Sequence, residues 1–401
     1  MQQVTSAPVA AVSEPLEAAP AEPRRWPRAL AELLLVGGLT PLLFPISWLL
    51  RRRFGLDPSE YAVGFLFFYG AYVINDPHFT VTYLLFYRDA RGRALGDSFR
   101  GAQRARYILA GFVAPLLMAA WAVVALATRD ARMLGALIQL MFLLVGWHYV
   151  KQGFGVFLAL SARRGVRWSA RERAVFLAHA LTGWAYAWAS PADPGTELEE
   201  KGVVYKSVAH GPMLETFTHV VFLATLVPLV VVLARRWYRD GRLPVLTPLV
   251  ALLCSIWSWS IYSSIDPLVR YVTPALHSVQ YLYFVFLLRG GEAREREGPP
   301  WFERASSVRL GVLAITAIVL GTFVFHLAPS ALDAALAPRR GEAGALGPTP
   351  YFAALYAFVN LHHYFMDAVI WRRDNPETRY LLASARGVPV SDARAVVGAP
   401  T

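Results

Sequence analysis

The sequence predicts an all-α, polytopic integral membrane helical bundle of about ten transmembrane helices. Three observations carry this. Of 401 residues, 56% are hydrophobic and only 17% are charged, where an average soluble domain carries roughly 25% charge. Mean hydropathy is +0.39. The apolar residues also gather in runs of about 20, the length of helix that crosses ~30 Å of hydrocarbon. An ordinary soluble enzyme, a disordered chain and a disulfide scaffold are thereby excluded. Cys254 is the only cysteine, so there is no disulfide framework and no cysteine-based zinc site.

Ten runs qualify as spans: residues 29–50, 61–88, 106–127, 133–161, 174–190, 213–234, 243–264, 267–288, 308–328 and 350–371. The connections 289–307 and 329–349 read as loops. The expected organisation is an N-terminal tail over 1–27, one transmembrane domain over 28–373 and a C-terminal tail over 374–401. The first tail is rich in Ala, Pro and Glu. It lacks the basic segment and apolar core of a signal peptide and reads as disordered.

Charge orients the bundle. The net charge is +11, and Lys151, Lys201 and Lys206 are the only lysines among 39 basic residues. The arginines cluster after the second, fourth, sixth, eighth and tenth runs, the pattern of cytoplasmic loops beside anionic lipid. No nucleic-acid module is present, so nucleic acid is not an expected partner. Both termini are expected in the cytoplasm of a bacterial inner membrane. Arg51, Arg52 and Arg53 follow the first run and disagree with this orientation. Either that run does not fully cross, or the other loops outvote it.

Ionisable side chains at membrane depth are costly and mark function by default. Four even-numbered runs carry them. The second holds Asn75-Asp76-Pro77-His78, where Pro77 is expected to kink the helix or the run to split into two short helices. The fourth holds His148, Lys151 and Gln152, three and four apart and so on one helical face. Lys151 could instead snorkel to the interface. The eighth holds His277, Gln280 and Tyr281 at the same spacing, whose bland alternative is interhelical hydrogen bonding. The tenth is densest, with Asn360, His362, His363, Tyr364 and Asp367. His363 and Asp367 share a face, and His362 points about 100° away. His179, His210, His219 and His326 lie nearer the expected interfaces or loops, where polar groups are cheap to solvate.

These clusters sit at depths that agree within ~10 Å at 1.5 Å per residue. Mutual satisfaction lowers the cost of polar groups in lipid, so the four runs are expected to face one another around a single polar site. Imidazole with carboxylate and no thiolate suits Zn, Cu, Fe or Ni, and a mixed set with open positions suits non-haem iron. The first functional expectation is a metal-dependent oxidoreductase acting on an acyl chain or isoprenoid. Its metal would be iron, held by a subset of His78, His148, His277, His362 and His363 with Asp76 or Asp367. Lys151, Gln152, Gln280, Tyr281 and Tyr364 are the expected catalytic residues. Membrane lipid or another apolar small molecule is the expected partner, with an electron donor beside it. Haem held by two axial histidines and a proton-coupled transporter stand as alternatives, as does a lipid transferase with His148 or His362 as general base.

The His362-His363 pair in an apolar helix resembles the last histidine box of integral-membrane desaturases and hydroxylases. The other boxes of that class, paired histidines three or four apart at a helix end, are absent. One imidazole per helix is instead similar to membrane carotenoid-cleaving oxygenases. Neither resemblance carries a residue role across to this chain.

Overall fold

The computed structural model describes residues 25–189, 197–200, 203–206, 208–241, 246–337 and 346–383. The expected tails lie outside these residues up to 24 and from 384 onward. Helix dominates. The chain runs through α1 (Arg25–Leu33), α2 (Thr40–Phe54), α3 (Leu56–Ala71) and α4 (Asn75–Tyr87). It continues through α5 (Gly101–Ala127), α6 (Ala131–Arg163), α7 (Ala170–Ala189) and α8 (Pro212–Asp240). Last come α9 (Leu246–Ile261), α10 (Pro267–Glu297), α11 (Ser306–Leu336) and α12 (Pro350–Ile370). A short antiparallel hairpin pairs β1 (Glu197–Glu200) with β2 (Val203–Lys206), in the register Glu197↔Lys206.

Helical segments occupy all ten expected runs, but fewer qualify as spans. Among the described residues, four helices are long and apolar enough to cross a membrane: α5, α6, α8 and α11. A fifth is obtained if α1 and α2, bent by 67° at their junction, count as one broken span. Two causes explain the shortfall. Some runs are interrupted: α1 and α2 part at Gly37, whose φ of +124° only glycine adopts readily, and α3 and α4 part at Tyr72–Ile74. Others, α10 and α12 above all, are diluted by the polar residues they bring inward. The second run does split into two helices. Its break lies before Asn75, so Pro77 falls in the first turn of α4, where a missing N–H costs nothing. The expected kink at Pro77 is therefore corrected.

Several apolar helices thus suggest membrane insertion, and their exposed faces agree. Leu116, Leu117 and Val123 on α5, Phe217 and Val227 on α8, and Ile315 and Val319 on α11 are all exposed. Only 17% of the apolar window of α8 or α11 is buried, against 44% for α6, which places α6 inside the bundle. Around it, α12 packs on α6, α4 and α5, while α10 packs on α3 and α4, and α11 on α4. Small residues permit such contacts where lipid supplies no hydrophobic drive. At Gly321 of α11 an added Cβ would lie 2.9 Å from the backbone of Asp76 on α4.

Apolar clusters hold the helices together. One cluster joins Phe86, Tyr107, Leu288 and Met366. A second joins Leu134, Ile138, Ala357 and Leu361, and a third joins Phe157, Phe176, Phe222 and Ile256. The polar side chains His78, His148, His277 and His363 of α4, α6, α10 and α12 are buried as well.

Arg51, the charge that disagreed with the rest, is paired. Its guanidinium is 3.0 Å from Asp266, which also accepts from Ser47 and from the first backbone N–H groups of α10. One of the three discordant charges is thus neutralised, at the end of a helix that follows a sharp bend.

Candidate metal centre

Each of the four central helices contributes one imidazole to a common point. His78 from α4, His148 from α6, His277 from α10 and His363 from α12 each offer a ring nitrogen, and these four atoms all lie within 4.8 Å of one another. All four residues are buried. His148 Nε2 is 3.1 Å from His277 Nε2 and 3.2 Å from His363 Nε2. His78 turns its Nδ1 to Ser278 Oγ at 3.0 Å, leaving Nε2 buried without a protein partner.

These contacts limit what the cluster can be. An imidazole nitrogen carries either one in-plane proton or one in-plane lone pair. His148 Nε2 cannot make two well-formed hydrogen bonds, to two other imidazole nitrogens, in either tautomer. Around a cation 2.0–2.1 Å from each ligand, nitrogens at tetrahedral corners stand roughly 3.3–3.4 Å apart. The two spacings from His148 are close to that and all four nitrogens lie within 4.8 Å of one another, so the four histidines could bind a metal ion. The chemistry of the set fits a transition metal without selecting one.

A carboxylate stands beside them. Asp367 Oδ2 is 3.3 Å from His363 Nε2 and 3.8 Å from His148 Nε2. Its other oxygen accepts hydrogen bonds from Tyr281 at 2.8 Å and from the Trp371 indole at 3.3 Å. One oxygen is held by the protein and the other is directed toward the cluster. Aromatic rings wall the site. Tyr364 stacks on His148 with ring centres 4.6 Å apart, Tyr149 covers His277 at 4.5 Å, and Phe79 stands edge-on to His363 at 5.0 Å.

Other expected site residues lie elsewhere. His362 is not in the cluster. Its Nε2 is 3.1 Å from the Ala110 carbonyl and its Nδ1 is 2.9 Å from Tyr83 Oη. A carbonyl only accepts, so Nε2 donates and Nδ1 accepts from the tyrosine. The helical turn between adjacent residues sends the two imidazoles of α12 to different sides. Asp76 is not in the cluster either. Its carboxylate is 2.8 Å from His326 Nε2, and His326 stacks on Tyr72 at 3.8 Å. The expectation that His362 or Asp76 joins the other histidines is corrected on these contacts.

The expected catalytic set divides as well. Tyr281 and Tyr364 touch the cluster through Asp367 and His148. Gln152 donates to Gln280 at 2.9 Å, and Gln280 donates to the Val36 carbonyl at 2.7 Å. These two amides tie α6 and α10 to the break before α2. The Lys151 ammonium lies 5.9 Å over the Phe154 ring, outside the histidine group. His179 bonds Thr225 at 3.0 Å, and His219 stacks on Tyr186 at 4.5 Å.

Helix irregularities serve these contacts. Wide π-type turns interrupt the helices at Leu34–Gly38, Leu109–Val113 and Phe323–Leu327. Such turns commonly mark functional sites. Here the first exposes the Val36 carbonyl to Gln280, the second the Ala110 carbonyl to His362, and the third aims His326 at Asp76. Ser278 behind His78, Thr82 against the Tyr281 hydroxyl at 2.6 Å and Trp371 on Asp367 support the site, and none of the three stands out in the sequence. Serine and threonine in an apolar helix are unremarkable locally, and only the contact across some 200 residues gives Ser278 its place.

No protein-family model, curated protein or solved structure matches this chain.

Proposed function

We propose that this is a membrane-embedded metal-dependent oxidoreductase, with non-haem iron held by His78, His148, His277 and His363 and Asp367 alongside. Its substrate would be an apolar lipid or isoprenoid. One observation carries the reading: His148 Nε2 meets two other imidazole nitrogens at 3.1 and 3.2 Å, a convergence that a shared cation explains. A bound iron would supply redox chemistry able to oxidise an apolar chain with dioxygen as oxidant.

The protein's own residues supply the surroundings. Tyr281 and Trp371 hold Asp367 so that one oxygen faces the histidines. Tyr149, Tyr364 and Phe79 exclude water from the centre. Hydrocarbon around the exposed apolar helix faces would dissolve an acyl or isoprenoid chain, which supports an apolar substrate. The proposed setting is a bacterial inner membrane with one transmembrane domain over 28–373 and both termini in the cytoplasm, supported by the arginine distribution. An electron donor would meet the arginine-rich cytoplasmic side.

The haem alternative fits the geometry less well. A porphyrin between two axial imidazoles must clear the plane between them of other side chains. Here the remaining two ring nitrogens lie within 4.8 Å of any such pair. A transporter reading draws on the interrupted helices α1–α2 and α3–α4, since broken helices are common at transport sites.

Elemental analysis of the purified protein tests the proposal. One equivalent of a redox-active metal in the parent, lost in His148→Ala and His277→Ala, supports it. A parent that takes up no metal, even when offered Fe2+ anaerobically, overturns it; with proton-coupled uptake by reconstituted protein, that result favours the transporter.

A further inference from the structure

We infer that Asn75 and Ser278 are positioning residues that set the tautomer of His78 and thereby its capacity to ligate. The inference rests on the metal reading above and concerns the chain's own atoms. Asn75 and His78 are three apart at the start of α4, so they share a face. Ser278 follows His277 on α10. The helical turn therefore sends His277 into the cluster and Ser278 to the back of the His78 ring. Ser278 Oγ donates to Asn75 Oδ1 at 2.9 Å and lies 3.0 Å from His78 Nδ1.

A serine hydroxyl has one proton. Spent on the Asn75 carbonyl, it leaves Ser278 Oγ only as an acceptor toward His78. The ring proton then resides on Nδ1, and Nε2 presents a bare lone pair to the cluster. Reversing the Asn75 amide reverses the chain. Its N–H would donate to Ser278, Ser278 would donate to Nδ1, and an Nε2 proton would point at the position a cation needs. Asn75 thus decides, through one hydroxyl, whether the fourth imidazole can bind.

Two of the other ligands lack this arrangement: Nδ1 of His277 and Nδ1 of His363 are buried without a hydrogen-bond partner. Partners behind a ligating histidine typically change metal affinity by 10–100-fold. In this site that leverage falls on His78 through Ser278.

Co2+ titration of the purified full-length protein, followed by its visible ligand-field absorption, tests the inference. Ser278→Ala is expected to weaken Co2+ binding by roughly 10–100-fold, while Ser278→Thr, which keeps the hydroxyl, stays close to the parent. At position 75 the discriminating pair is Asn75→Asp, which can only accept when ionised, and Asn75→Leu, which can do neither. A tautomer role keeps Co2+ affinity in Asn75→Asp and lowers it in Asn75→Leu. A merely structural role lowers both alike. Equal affinity in the parent, Ser278→Ala and Asn75→Leu overturns the inference. If Ser278→Ala fails to fold, the Asn75 pair still decides. A parent with no Co2+ spectrum overturns the metal reading instead, so the two failures are distinguishable.

Discussion

His362 and His363 are neighbours on α12, and they end in opposite circumstances. Both nitrogens of His362 are occupied, one by Tyr83 and one by the Ala110 carbonyl. His363 directs its Nε2 toward His148 and Asp367, while its Nδ1 has no hydrogen-bond partner. The same contrast separates the rim of the bundle from its centre. At the rim, Asp76 and His326 satisfy each other at 2.8 Å. At the centre, four imidazoles crowd together with fewer hydrogen bonds than their nitrogens can make. Pairwise satisfaction is what a structural polar group needs in a low-dielectric interior. Convergence without satisfaction is the arrangement of groups that could share a cation.

Removing a central imidazole should have the largest effect. His277→Ala or His363→Ala is expected to abolish stoichiometric metal, an effect larger than the 10–100-fold typical of a supporting residue. Metal content by mass spectrometry of detergent-purified protein checks it, and unchanged content would erase the distinction between centre and rim. Asp367→Asn keeps a hydrogen-bonding side chain beside Tyr281 but removes the charge. Metal affinity should fall by roughly tenfold, as for groups that orient or flank ligands, read from competition with a chelator.

His362→Ala should do the reverse. It strands the Tyr83 hydroxyl and the Ala110 carbonyl, which costs about 1–3 kcal/mol, and leaves metal content at the parent level. Thermal unfolding in detergent, run beside the metal assay, reads both. Gly321→Ala tests the rim alone. Its Cβ would press on Asp76 of α4, an overpacking of about 1–3 kcal/mol that lowers the melting temperature without altering metal uptake. Lys151→Met should be the mildest, within about 0.5 kcal/mol of the parent and with unchanged metal, because the ammonium stands apart from the histidines.

Much of this was legible beforehand. The predominantly helical architecture followed from composition and run length, because those properties act locally along the chain; the short β1–β2 hairpin did not. The four helices that carry the centre announced themselves through polar residues that lipid tolerates poorly. The spans among the described residues, four or five, are fewer than the ten apolar runs, because a run of apolar letters does not reveal a break such as Gly37 or Tyr72–Ile74. The surroundings of Asp76 are hidden for a related reason. Asp76 stands two residues from His78, yet a helix turns about 200° in that distance, and only the approach of α11 supplies it with His326.

The amino-acid sequence by itself determined that this chain is helical and apolar, and that it carries imidazoles and carboxylates where hydrocarbon would penalise them. Hydrophobicity and the 3.6-residue period suffice for that. Which imidazoles meet, which nitrogen each presents and which hydroxyl stands behind it were decided only by the packing of α4, α6, α10 and α12. The reason is geometric. Ligation and hydrogen bonding turn on differences of a few tenths of an ångström between atoms that can be 200 residues apart, and no local pattern in the chain encodes such distances.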